Sequence, residues 1–174
     1  MQVTPNFGSA DLDCHDGTPY PFDKSDDEDP QRRTWLVTRA TPLCQTAEII
    51  RVAVGTPLIS TSGFRPIAYD QRIYDAHIAA LAAKGLPNDH MVAEPTSSEH
   101  PEGRALDLHS PTLTPVQLYN AILRLFEGDR LPLLGGVGLY RTFVHIDIAK
   151  RIVTARAPYG HLRLWGGDRP DDVA

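Results

Sequence analysis

Residues 98–107 read Ser98-Glu99-His100-Pro101-Glu102-Gly103-Arg104-Ala105-Leu106-Asp107. Two metal-ligating residue types, His100 and Asp107, stand seven positions apart, too long a step for neighbours on one helical face. The stretch therefore reads as a loop that carries His100, turns at Gly103 and runs into a strand presenting Asp107. Nearer the C-terminus, Phe143-Val144-His145-Ile146-Asp147 has strand character, and strand alternation puts His145 and Asp147 on one face, about 7 Å apart along the chain. His100, Asp107 and His145 then form the kind of set that hydrolytic zinc takes. Three protein ligands leave a fourth position for water, whose pKa falls toward neutrality on binding.

Working outward, the 174 residues fit one domain, 1–174, long enough to bury a core without disulfides. Hydrophobic residues make up 41% and charged residues 22%, as in ordinary globular chains, and no apolar run nears the length of a membrane span. A net charge of −5 argues against nucleic acid as a partner, because that binding needs a basic face to displace counterions. Cys14 and Cys44 are expected as free thiols. No basic segment followed by an apolar core and a cleavage site opens the chain, so synthesis in the cytoplasm is expected, with any release to a cell wall by a phage or other non-standard route.

The pattern Ser-x-His-x-x-Gly-x-Ala-x-Asp, filled by Ser98, His100, Gly103, Ala105 and Asp107, resembles the signature of the zinc D-alanyl-D-alanine carboxypeptidase and peptidoglycan endopeptidase family, peptidase family M15. Ser62-Gly63-Phe64-Arg65-Pro66 is similar to that family's Ser-Gly-Tyr-Arg-Ser segment. Gly136-Val137-Gly138-Leu139-Tyr140 and Val144-His145-Ile146-Asp147 resemble its closing Gly-x-Gly-x-Tyr and His-x-Asp segments, and the opening from Asn6-Phe7 to Pro21 is similar to the lead-in of its phage and bacterial branch. The resemblance implies an α+β fold of the Hedgehog/D,D-peptidase kind: a small antiparallel sheet carrying the zinc site, with helices on its other face. It also implies a zinc metallopeptidase that hydrolyses peptidoglycan stem peptides or cross-links, as a D,D-carboxypeptidase or an endopeptidase. A monomer acting on peptidoglycan peptides is expected.

The same resemblance assigns roles. Zn2+ is held by His100, Asp107 and His145. Arg65 lies beside the metal, where its planar fork of donors suits a terminal carboxylate or a polarised carbonyl, and Ser62 helps to hold that loop or the substrate. Several branches place the catalytic acid three residues before the last histidine, where this chain has Thr142, which cannot act as a base at neutral pH. Asp147 is the expected base, with Glu99 and Glu102 behind it; a carboxylate beside a ligand histidine also serves as an orienter through its hydrogen bond. Thr142 supports an alternative from another class, a catalytically weak or inactive zinc-containing module that binds cell wall or builds a phage assembly. His15, His77, His90, His109 and His161 are expected to be structural or solvated, with His109 on the metal strand's face.

Elements follow from local signals. Thr41-Pro42 opens a helix closed by Gly55, with Leu43, Ala47, Ile50 and Val54 on one face. Residues 57–62 read as a short strand delivering Ser62 and Arg65, and 69–83 as a helix ended by Gly85 and Pro87. Asn88 to Thr96 reads as a loop arriving at the metal motif. Thr114-Pro115-Val116-Gln117 is a capping box for a helix with core residues Val116, Tyr119, Ile122, Leu123 and Phe126. Residues 105–109, 134–140, 142–148 and 159–165 are expected as strands of an antiparallel sheet, with Gly135, Gly136 and Gly138 marking a bulge or a close approach. Ser25 to Asp29, flanked by Pro19, Pro21 and Pro30, reads as an acidic surface loop, Trp165 as sheet-edge core, and residues 166–174 as a poorly ordered tail.

Overall fold

The computed structural model describes residues 1–21, 30–85, 95–149, 152–154 and 157–166. The architecture is α+β, built on a five-stranded sheet in the order β1-β2-β4-β3-β7. Its strands are β1 (Ile59–Ser62), β2 (Ala105–His109), β3 (Gly136–Leu139), β4 (Val144–Asp147) and β7 (Arg163–Gly166); β5 (Ile152–Thr154) and β6 (Ala157–His161) form a separate two-stranded sheet. Helices α1 (Ser9–Leu12), α2 (Pro30–Trp35), α3 (Thr41–Val54), α4 (Ile67–Ala83) and α5 (Pro115–Glu127) complete it, with a π-helical turn over Leu36–Ala40 joining α2 to α3.

Period-two alternation sorts the central strands into two faces. Leu106, Leu108, Val137, Leu139, Val144 and Ile146 enter one core with Leu43, Ala47 and Ile50 of α3 and Leu118, Ile122 and Leu125 of α5. Their strand neighbours Asp107, His145 and Asp147 look the other way, so α3 and α5 cover one face and the candidate ligands occupy the opposite one. The helix ends follow the local chemistry. Thr114 accepts the backbone N–H of Gln117 while Gln117 answers to the N–H of Thr114, and Gly55 closes α3 at φ 68°.

Three differences from the sequence expectations matter. The sheet is mixed: β7 pairs with β3 in parallel, Gly136 opposite Arg163 and Gly138 opposite Trp165. The apparent single strand over 159–165 is split, since β6 turns back on β5 and only Arg163–Gly166 joins the main sheet. Composition cannot show that split, because both halves have strand character and only pairing separates them. Pro30 opens α2 instead of lying in the loop, because proline's fixed φ suits a first helical position. Residues 25–29, the greater part of the 88–96 loop and the tail from 167 lie outside the described residues. No described helix is long and apolar enough to cross a membrane.

Candidate metal centre

His100 leaves a turn in which the Gly103 N–H bonds to the His100 carbonyl at 2.9 Å, and Gly103 adopts φ 64°, a conformation that glycine reaches without steric cost. The chain then enters β2. There Asp107 lies directly opposite His145 of β4, which in turn lies opposite Gly138 of β3. On the other side a β-bulge between Ser60 and Ser62 sets Ser62 against Asp107, and the Thr61 hydroxyl donates to the Asp107 carbonyl at 3.2 Å. One row across the sheet thus reads Ser62, Asp107, His145, Gly138.

Three ligand atoms converge there. His100 Nε2 lies 3.1 Å from His145 Nδ1 and 3.3 Å from Asp107 Oδ1, and His145 Nδ1 lies 3.0 Å from Asp107 Oδ1. All three side chains are buried. Tetrahedral zinc with bonds of about 2.0–2.1 Å requires ligand separations of roughly 3.3 Å, so the triangle is close to the required size. The other ring nitrogens fix the tautomers. His100 Nδ1–H donates to the Gly63 carbonyl at 2.6 Å, which leaves the Nε2 lone pair facing the triangle. His145 Nε2 faces Asp147 Oδ2 at 3.6 Å, so its Nδ1 is the inward atom. Two imidazoles and a carboxylate with their outer nitrogens matched to acceptors suit zinc in both donor type and orientation.

The electrostatics follow the same geometry. Burial pushes His100 below the usual imidazole range despite the neighbouring Asp107 carboxylate. Burial also disfavours a charged His145, but the Asp107 and Asp147 carboxylates overcome it and raise that imidazole to about 9. Burial would likewise lift Asp107, yet the two histidines hold it far below the ordinary carboxylate range. The two carboxylates thus favour the charged form of His145, while burial favours the neutral form of His100.

Asp147 is wholly buried. Its Oδ1 accepts the Arg163 guanidinium at 2.7 Å and the Ala149 N–H at 2.9 Å, while Oδ2 faces the outer nitrogen of His145. Burial raises its pKa, but His145, Arg163 and the Ala149 N–H together hold it below the usual value. Glu99 pairs with Arg104 at 2.8 Å and Glu102 with Arg39 at 3.5 Å. Thr142 is exposed in the turn between β3 and β4.

Arg65 follows β1, and its backbone N–H donates to the His100 carbonyl at 3.3 Å. Its Nε is ion-paired at 3.1 Å with Asp70, a buried carboxylate in the first turn of α4, and its charge contributes to depressing His100. Sequence reading missed Asp70, although an acid in a helical first turn just after Pro66 is a legible signal. It also missed the Gly63 carbonyl and Arg163, whose roles depend on pairing. Beneath the site, Tyr20, Trp35 and Phe64 meet edge to face, with ring centroids 5.6–6.0 Å apart, and the Tyr20 hydroxyl donates to the Gly103 carbonyl at 2.8 Å. The cluster braces both the Phe64–Arg65 loop and the His100 loop. His109 ends β2 half-buried and is no part of the metal trio; His15 bonds the Thr61 carbonyl, and Cys14 and Cys44 are free and buried.

Residues 34–133, more than half of the chain, match the family model VanY, described as D-alanyl-D-alanine carboxypeptidase. The match includes Arg65, His100 and Asp107. It stops short of His145, which the register of β4 against β2 brings to the same place. No curated protein and no solved structure matches the chain.

Proposed function

The chain belongs to the VanY family of D-alanyl-D-alanine carboxypeptidases, and from that premise we propose that it is a zinc-dependent peptidase acting on the D-alanine-terminated peptides of peptidoglycan. The observation that carries this reading is the triangle of His100 Nε2, Asp107 Oδ1 and His145 Nδ1, with edges of 3.0–3.3 Å. Zinc bound there supplies a polarised carbonyl and a water acidified toward neutrality.

The chain's own residues do the rest. Arg65, held at Nε by Asp70, turns its guanidinium to the substrate's terminal carboxylate or to the carbonyl under attack. Ser62, in the same sheet row as Asp107, contributes a hydroxyl at the edge of the site. Asp107 stays ionised, and His100 presents a neutral nitrogen because its other N–H is committed to Gly63. Of the two roles expected for Asp147, its geometry supports the orienting one. Its carboxylate meets the outer nitrogen of His145 and keeps the proton on that side of the ring.

The test is mass spectrometry of monomeric and cross-linked muropeptides incubated with the protein, with added zinc or with a chelator. Zinc-dependent loss of the terminal D-Ala is the expected result. A substrate with an amidated C-terminus should escape a carboxypeptidase, whereas an endopeptidase should still split cross-linked dimers. No product from protein shown to carry zinc would overturn the peptidase reading and favour a wall-binding module, with Thr142 as the residue to explain.

A further inference from the structure

The parallel strand β7 places an arginine where it can act on the metal centre without touching the metal. Asp147 of β4, Gly136 of β3 and Arg163 of β7 stand side by side in one row across the sheet. Gly136 has no side chain to stand between its neighbours. The Arg163 guanidinium reaches across it to Asp147 Oδ1 at 2.7 Å. The same Nη2 lies 3.5 Å from Glu99 Oε1, and Glu99 immediately precedes His100 and is clamped from its other side by Arg104 at 2.8–2.9 Å. One guanidinium thus joins the carboxylate behind His145 to the loop that carries His100. Without that cation, a wholly buried Asp147 would be a costly isolated charge, held by one backbone N–H and a weak contact to His145.

We propose that Arg163 is a positioning residue of the metal centre: it keeps the Asp147 carboxylate fixed against the outer nitrogen of His145, and through Glu99 it sets the His100 loop. This rests on the zinc reading above but assigns a residue outside the span shared with the family model. Gly136 belongs to the same device, because it stands between Asp147 and Arg163 in that row and adds no side chain there.

The experiment is zinc affinity measured by competition with a chromogenic chelator, for the unaltered chain, Arg163→Met, Asp147→Asn and the double variant, with far-UV circular dichroism confirming the fold. Losing an outer partner of a ligand histidine is expected to weaken zinc binding about 10- to 100-fold. The double variant should lose less than the sum of the two single losses, because part of what Arg163 does runs through Asp147. Replacement of zinc by Co2+ should give a visible spectrum that shifts in both single variants. Arg163→Met binding within about threefold of the unaltered chain would overturn the proposal, as would losses that simply add. If Arg163→Met does not fold, Arg163→Gln decides, because it keeps a polar side chain but removes the charge that a single Nη2 presents to both carboxylates. A loss of at least threefold there supports the proposal, and unaltered affinity ends it. An unaltered chain that takes up no zinc would overturn the metal reading and this inference with it.

Discussion

Asp70 is buried at the start of α4 with the Nε of Arg65 3.1 Å away, so it fixes the direction of the one cation expected to meet substrate. Asp70→Asn keeps the shape but removes the charge. Its expected effect is a roughly tenfold rise in KM for peptides with a free C-terminal carboxylate, a smaller change in kcat and unchanged zinc content, read by steady-state kinetics. A second residue-scale prediction concerns alkaline pH. Burial pushes Cys44 up to about 12 and raises Tyr20 well above its ordinary value, while in the unfolded chain they ionise near 8.5 and 10. Above those pH values the native state holds protons that the unfolded state has released, so stability falls as pH rises. Each group contributes a slope approaching about 1.4 kcal/mol per pH unit until its folded pKa is reached. Urea unfolding at pH 8, 9.5 and 10.5 should show progressive loss, and Cys44→Ala should flatten its onset. In the folded protein at pH 8 neither Cys14 nor Cys44 should react quickly with a thiol reagent, since burial raises both.

Among the elements, the two loops that flank the candidate metal site depend on glycines for different reasons. A Cβ on Gly103 would fall 2.5 Å from Trp35 Cζ3 at a positive φ, and one on Gly63 would fall 2.5–2.6 Å from the Leu12 backbone. Gly103→Ala and Gly63→Ala should each cost about 2 kcal/mol or more, seen as a lowered melting temperature, with zinc affinity reduced because each loop sets His100. Thr114→Ala, which removes a cap far from the metal, should cost about 1 kcal/mol and leave zinc binding unchanged. The contrast separates loop geometry from general stability. It also shows what was legible in the sequence. Loop, Gly103 turn and strand could be read from residues 98–107, the end of α3 from Gly55 and the start of α5 from the Thr114 capping box, because those signals are local; Thr41-Pro42 does not start a helix, since the π-helical turn before it already carries helical backbone into α3. The bulge that aligns Ser62, the Gly63 carbonyl on His100 and the parallel seat of β7 could not, because they are consequences of pairing between distant segments. Asp147 illustrates the boundary. Its face and its neighbour His145 follow from alternation, but its contact with Arg163 across Gly136 depends on strands that local pattern does not join.

At the scale of the whole molecule, the candidate metal centre joins the His100 loop to β2 and β4, strands whose other face already shares the core with α3 and α5. His100 comes from a loop, Asp107 from β2 and His145 from β4, and all three are buried. Without zinc, the Asp107 and Asp147 carboxylates favour a second proton on His145, raising it to about 9. Zinc must displace the proton on Nδ1, so its affinity should increase from pH 6 toward 9 and flatten above that. The sign for folding is the converse. A folded pKa above the unfolded value of about 6.5 makes protonation of His145 a stabilising contribution of the metal-free state, fully present below pH 6.5 and lost as pH rises through 9. Metal-free protein should therefore become less stable between pH 6.5 and 9, while the zinc-bound form should not share that decline. Because only the folded chain assembles the triangle, zinc at 100 times its dissociation constant should add about 2.7 kcal/mol. For a chain of this length that is roughly 5–10 °C in Tm. Calorimetry with zinc and after chelation, at pH 6.5 and 8.5, checks both parts: the gap between the curves should be present at each pH and wider at 8.5. A gap that did not widen would mean that the proton on His145 is not the one zinc displaces.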